Sequence, residues 1–363
     1  MSIISSFRES ARAKPIIERI HKRDTGPVSI MEFCGGHTVA IFRSGIRTIM
    51  PAHVRMISGP GCPVCVTSNG DLDRAVALAK TPGVILATYG DMLRVPGSEE
   101  SLMQVKAQGY AVEIVYSTLD ALALAEAHPE KEIVFFAIGF ETTSPAAAAA
   151  VLQARSRELR NFSLCSVMKL TIPGARALLS MGEVKVDAVI GPGHVSSIIG
   201  ADAWRFLPDE YGIPVAISGF ETLDLLAATD ALLGMIEEGK PDLANTYSRI
   251  VKPGGNRKAW DAVQQVFELR EASWRGFGNI PDSGLALREE FADYDADRRF
   301  DIQVAPAPEH PACRCGEVLR GVAMPPDCKV FGSACTPEHP LGPCMVSSEG
   351  SCAAYFHYQR HQL

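Results

Sequence analysis

Short apolar runs rich in β-branched residues recur along this chain, with helix-like stretches between them. The runs fall at 28–33, 54–59, 84–89, 112–116, 133–139, 162–168, 188–191 and 214–219, and they start about 21 to 30 residues apart. Near-continuous apolar strands alternating with helices mark parallel α/β sheets, whose strands are covered on both faces. The helix-like stretches lie at 71–80, 99–108, 119–128, 145–159 and 221–239. Their starts carry capping residues: Ser98 before Glu99, Thr118 before Leu119, and Ser144 before Pro145, a proline suited to the first helical position.

Eight such units allow a closed (β/α)₈ barrel or two open four-stranded domains. The open form is favoured. The unit over 112–131 is short, and His128-Pro129-Glu130-Lys131 reads as a polar break. The expected fold is therefore α/β, with two open, Rossmann-like parallel-sheet domains at 1–130 and 131–299 and a small Cys-rich unit at 300–363. Two echoes suggest a duplication: GPGC at 59–62 with GPGH at 191–194, and GFET at 139–142 and 219–222. Helices are expected at 241–250 and 257–274, and a polar connector at 293–299 leads to a proline-rich stretch at 306–311.

Composition narrows the function. With 35 Lys+Arg against 42 Asp+Glu the formal charge is −7, which disfavours a nucleic-acid binder working by phosphate neutralisation. No run of 18 apolar residues suggests a membrane span, and the first residues lack a signal-peptide core. The expected compartment is the reducing cytoplasm, where grouped cysteines point to metal or redox chemistry.

Unusual residues cluster just after the strands, in FCGGHT (33–38), GPGCPVCV (59–66), TYGDMLRVPGS (88–98), GFETTSP (139–145), GPGHVSS (191–197) and SGFET (218–222). The carboxyl ends of parallel strands form the functional rim of such folds. Tight turns explain the glycines but not Cys34, His37, Cys62, Cys65, Asp91 or Glu141. Cys62 and Cys65 form a CxxC motif entering a helix, suited to a reversible disulfide or, with Cys34 and His37 as further ligands, to a metal. His37 and His194 suit a structural or a site role equally. Glu141 and Glu221 are explained most simply as helix-start residues. Cys165, in the apolar run FSLCSVM, reads as core. Six of the ten cysteines (Cys313, Cys315, Cys328, Cys335, Cys344 and Cys352) crowd the last 64 residues, where a cluster of iron and sulfur or a structural zinc is expected.

These motifs, with AIGFETT (137–143) and PPDCKVFGSACTPEHPLGPCMVSSEGSCAAY (325–355), resemble the HypD family of [NiFe]-hydrogenase maturation factors. The resemblance covers nearly the whole chain. It implies an assembly scaffold with redox-active cysteines rather than a conventional turnover enzyme. The scaffold forms with the small protein HypC, and an iron atom on it receives cyanide and carbon monoxide. Cyanide comes from HypE, served by HypF, as a thiocyanate, and the finished Fe(CN)₂CO group passes to the hydrogenase large-subunit precursor. Carried over by motif, Cys34 binds the iron, and Cys62 with Cys65 forms a redox pair or helps to hold it. His37, Glu141 and Thr142 line the cleft. A [4Fe–4S] cluster sits on Cys328, Cys335, Cys352 and one of Cys313, Cys315 or Cys344, and electrons are expected to pass from it through Cys62/Cys65. Two other readings are a stand-alone cluster-linked thiol–disulfide oxidoreductase and a zinc-stabilised binding protein.

Overall fold

All eight runs form strands in the computed structural model, which describes residues 3–305 and 308–359. They are β1 (Val28–Glu32), β2 (Val54–Ser58), β3 (Val84–Thr88), β4 (Val112–Ile114), β5 (Glu132–Ala137), β6 (Phe162–Ser166), β7 (Ala188–Pro192) and β8 (Val215–Ser218). A ninth, β9 (Leu243–Asn245), pairs beside β8. The strands make two open parallel sheets, ordered β2-β1-β7-β8-β9 and β4-β3-β5-β6, and no barrel. Strands β3, β6 and β7 are buried along their whole length, which is why they read as unbroken apolar runs.

The expected division at residue 130 does not separate the sheets. β3 pairs with β5 across it (Val84 opposite Glu132), while β1 pairs with β7 (Ile30 opposite Ala188). The chain leaves the first sheet after β2, builds the second sheet entirely, and returns at β7. His128–Lys131 is an ordinary helix-to-strand turn: the helix Thr118–Ala127 ends there, and the Lys131 N–H donates to the His128 carbonyl at 3.0 Å. The echoes follow the same logic. GPGC and GPGH succeed β2 and β7 in one sheet, whereas the two GFET copies succeed β5 and β8 in different sheets.

Other boundaries move for local reasons. The helix expected from residue 99 begins at Leu102, because Ser101 and Gln104 form a capping box. Ser117 and Thr143, rather than Thr118 and Ser144, occupy the cap positions of the next two helices. No helix forms at 241–250, where the open edge of β8 takes up β9 instead. The segment 257–274 divides into a helix, Arg257–Val266, and a strand, β10 (Phe267–Trp274), antiparallel to β11 (Gly278–Leu287). The connector at 293–299 lies in two short helical turns, Glu289–Tyr294 and Ala296–Arg299. The first two residues of the 306–311 stretch lie outside the described residues.

The C-terminal helices Cys315–Leu319, Pro343–Val346 and Ser351–Tyr358 do not build a separate core. Cys315, Leu319, Cys344 and Val346 share one apolar cluster with Cys62, Cys65 and Leu72. Among the described residues no helix is long and apolar enough to cross a membrane.

The hairpin ties the halves together through Trp274, which is 2% exposed. Its Nε1 donates to the Ser283 hydroxyl at 2.9 Å, and its ring occupies the space that a side chain on Gly174 would need. Trp274→Ala should cost roughly 3–5 kcal/mol through lost burial and the cavity left behind. A urea midpoint equal to the wild type would contradict this packing role.

Candidate functional site at the strand ends

In the five-stranded sheet the strand order reverses between β1 and β7, so the crevice for a ligand opens beyond their carboxyl ends. Cys34 sits there, as the N-cap of the helix Gly35–Arg43. Its sulfur receives the backbone N–H groups of His37 and Gly36. Burial, reinforced by the carboxylate of Glu349, outweighs those contacts and pushes the thiol up to about 12. Cys34 is buried, 9% exposed.

The loop after β2 runs directly against Cys34. The Gly35 N–H donates to the Gly61 carbonyl at 3.0 Å, and a Cβ on Gly61 would overlap the Cys34 backbone nitrogen. The next residue, Cys62, caps the helix Pro63–Val66 and is joined to Cys65 by a disulfide, with the two Cα atoms 5.2 Å apart. Both cysteines are buried, Cys62 4% and Cys65 0% exposed. Sequence spacing left a reversible disulfide and a metal site open for this pair; the structure has the closed disulfide.

His37 is also fully buried. Its Nε2 lies 3.2 Å from the Ser218 carbonyl and 3.0 Å from that of Gly219, so this nitrogen carries the hydrogen and donates. Nδ1 has no hydrogen-bond partner among the described residues. Burial pulls the imidazole down to about 4, which keeps it neutral near pH 7. His37 and His194 both stack on Phe220, at centroid distances of 4.6 and 3.8 Å.

Glu141 does not join this group. Its carboxylate accepts from the Thr171 N–H at 2.8 Å and the Thr171 hydroxyl at 2.7 Å, and it lines a different cleft with Leu170, Ile198 and Trp260. Thr142 beside it is exposed. Both follow β5, at the order reversal of the other sheet. Cys165 is buried in the core as expected.

The six C-terminal cysteines line one cavity that contains no carboxylate. Cys315 Sγ lies 3.0 Å from Cys344 Sγ, and further thiol contacts join Cys313 to Cys315 and Cys344 to Cys352. Contact with Cys315 and then burial raise the Cys313 thiol, and burial raises Cys335. Four of the thiols touch one another in a row, and among the described residues no group of three or more His, Cys, Asp or Glu has metal-ligating geometry. In kind, the donors fit an iron–sulfur group, being soft sulfur atoms on loops and short helices with no competing oxygen ligand. The helix Pro63–Val66 packs against both Cys315–Leu319 and Pro343–Val346, so the disulfide stands between this cavity and Cys34.

Comparison with known proteins identifies the chain. The profile of the family described as HypD, hydrogenase formation hypA family, matches residues 11–359. The chain is 48% identical to the hydrogenase maturation factor HypD of Azotobacter vinelandii, over 100% of this chain and 98% of that one. It is 45% identical to HypD of Cupriavidus necator, over 99% and 98%, and 40% identical to HypD of Escherichia coli K12, over 100% and 99%. The chain belongs to the HypD family of hydrogenase maturation factors.

Three residues of this HypD-family site were not singled out in the sequence. Phe220 is one, hidden inside a GFET motif whose Glu drew attention. Glu349 is another; the C-terminal loop carrying it packs so closely on Gly35 that a Cβ there would collide with it. The third is Glu32, the last residue of β1, whose carboxylate accepts from the Cys34 N–H at 2.9 Å and from the Thr38 hydroxyl. Burial raises Glu32 to about 8. The carboxyl is protonated in both folded and unfolded chains below about pH 4.5, and between there and about 8 only the unfolded chain releases the proton. Stability of the apoprotein should therefore fall as pH rises through that window. Glu32→Gln should remove this part of the slope in urea midpoints measured across it. Identical slopes in the two proteins would show that Glu32 ionises normally.

Proposed function

We propose that this HypD-family chain acts with HypC as the scaffold on which the Fe(CN)₂CO group of [NiFe]-hydrogenase is assembled. Cyanide comes from HypE, downstream of HypF, and the large-subunit precursor receives the finished group. The observation that carries this reading is the contact between Gly61 and Cys34, which puts a free thiol beside the Cys62–Cys65 disulfide. The cytoplasm is the expected compartment.

In this reading Cys34 gives up its proton and binds the cargo iron as a thiolate, a soft donor suited to low-spin iron carrying cyanide and carbon monoxide. The two backbone N–H groups at its sulfur stabilise that thiolate. Cyanide arriving as a thiocyanate needs two electrons and one proton to leave as cyanide and a thiol. The Cys62/Cys65 dithiol can supply both electrons with its two protons, ending as the disulfide, and the second proton is released. Cys328, Cys335 and Cys352, with one of Cys313, Cys315 or Cys344, would hold a [4Fe–4S] cluster. When bound, such a cluster stores and passes single electrons. A stand-alone oxidoreductase is the weaker reading, because a disulfide this buried offers an external substrate little access.

Purification with HypC under anaerobic conditions tests the assignment. The wild-type complex should show infrared bands of Fe–CN and Fe–CO, and Cys34→Ala should lose them while keeping its acid-labile sulfide. Full bands in Cys34→Ala would remove Cys34 from the cargo site.

A further inference from the structure

Phe220 closes the turn between β8 and the helix Thr222–Glu237, and it stacks with both rim histidines. The ring planes lie within 29° of His37 and 23° of His194. His37 begins at the end of β1, His194 at the end of β7 and Phe220 at the end of β8, so three neighbouring strands deliver one aromatic stack. A Cβ on Gly36 would stand 3.0 Å from the Phe220 ring and 3.6 Å from the Cys34 sulfur. Phe220 and the thiol therefore face the same gap, left by a residue without a side chain.

The ring is itself braced. Tyr247 meets Phe220 edge-on at a centroid distance of 6.4 Å, and the Arg249 guanidinium lies 4.4 Å over Tyr247. Arg249 grips Asp224 with two hydrogen bonds of 2.7 and 2.6 Å. Gly219 makes the turn possible, because a side chain there would strike Asp224 and Tyr247. Such bracing of a partly exposed phenylalanine fixes the placement of its ring. His37 supplies the reason. A buried acceptor left without a donor is costly, and native structures keep few of them. Its Nδ1 lone pair stays available only while the ring keeps Nε2 on the Ser218 and Gly219 carbonyls.

We propose that Phe220 is a positioning residue of the cargo site: stacked on both His37 and His194, it holds His37, on the helix that Cys34 caps, in one ring orientation and one tautomer. This rests on the scaffold reading above, since it is the cargo on Cys34 that the fixed imidazole would face.

Two measurements test it separately. In metal-free protein labelled with ¹⁵N-histidine, the His37 signals, assigned by their loss in His37→Gln, should show the Nε2–H tautomer. Phe220→Leu should average or broaden that pattern, and Phe220→Tyr, which keeps a flat ring, should restore it. In the HypC complex, Phe220→Leu should lower the Fe–CN and Fe–CO bands at least severalfold, and Phe220→Tyr should retain them. An unchanged His37 pattern in Phe220→Leu overturns the proposal, as does wild-type band intensity in that variant. Should Phe220→Leu not fold, failure of Phe220→Tyr to keep both signatures overturns it instead. Absence of bands from the wild-type complex would sink the scaffold reading, leaving the nuclear magnetic resonance result to judge the positioning of His37 alone.

Discussion

The peptide of Gly61 lies against the backbone of Cys34, with no room for a side chain between them. Much of the site depends on that contact. It joins the loops that follow two adjacent strands of one sheet, and it sets the next residue, Cys62, at the start of its short helix. That helix in turn seats the C-terminal helices bearing Cys315 and Cys344. Any residue larger than glycine would force the two loops apart and separate the thiol from the disulfide.

Burial governs the protonation of the site. Cys34 and Glu32 are both pushed toward their neutral, protonated forms, and His37 toward its neutral, deprotonated one. In the proposed scaffold role, a pocket that disfavours charge on its own groups would suit a cation as cargo, because each thiolate formed would be matched by positive charge arriving beside it. Among the C-terminal thiols, Cys313 and Cys335 share this condition, both raised toward the protonated form.

Much of this was legible in the sequence. Parallel strands buried on both faces announce themselves as apolar runs, so all eight were found, and the motifs after them marked the rim. Sheet membership was not legible, because β3 and β7 are equally apolar and nothing in their composition says which strand lies beside them. β10 was masked by the helix before it, since Val266 and Phe267 continue an apolar pattern across the change of period. Cys34, His37, Cys62 and Cys65 converged as expected. Glu141 and Thr142 follow a strand of the other sheet, which was not legible because rim residues of two sheets look alike in one dimension. Glu32 and Phe220 escaped notice because a strand-end carboxylate and a turn phenylalanine look ordinary until their neighbours are known.

The interleaved path of the chain also affects its synthesis. β3 to β6 are contiguous in sequence and can pair as soon as residue 166 has emerged. β1 and β2 leave the ribosome first, yet the partner that covers the open side of β1 begins only at Ala188. The part of the protein that carries Cys34 and the CxxC pair is thus made early and completed late, with reactive thiols uncovered while the inner sheet is still forming. For a chain with ten cysteines, this interval is when a wrong disulfide could form, and a reducing cytosol or a bound companion would protect it then.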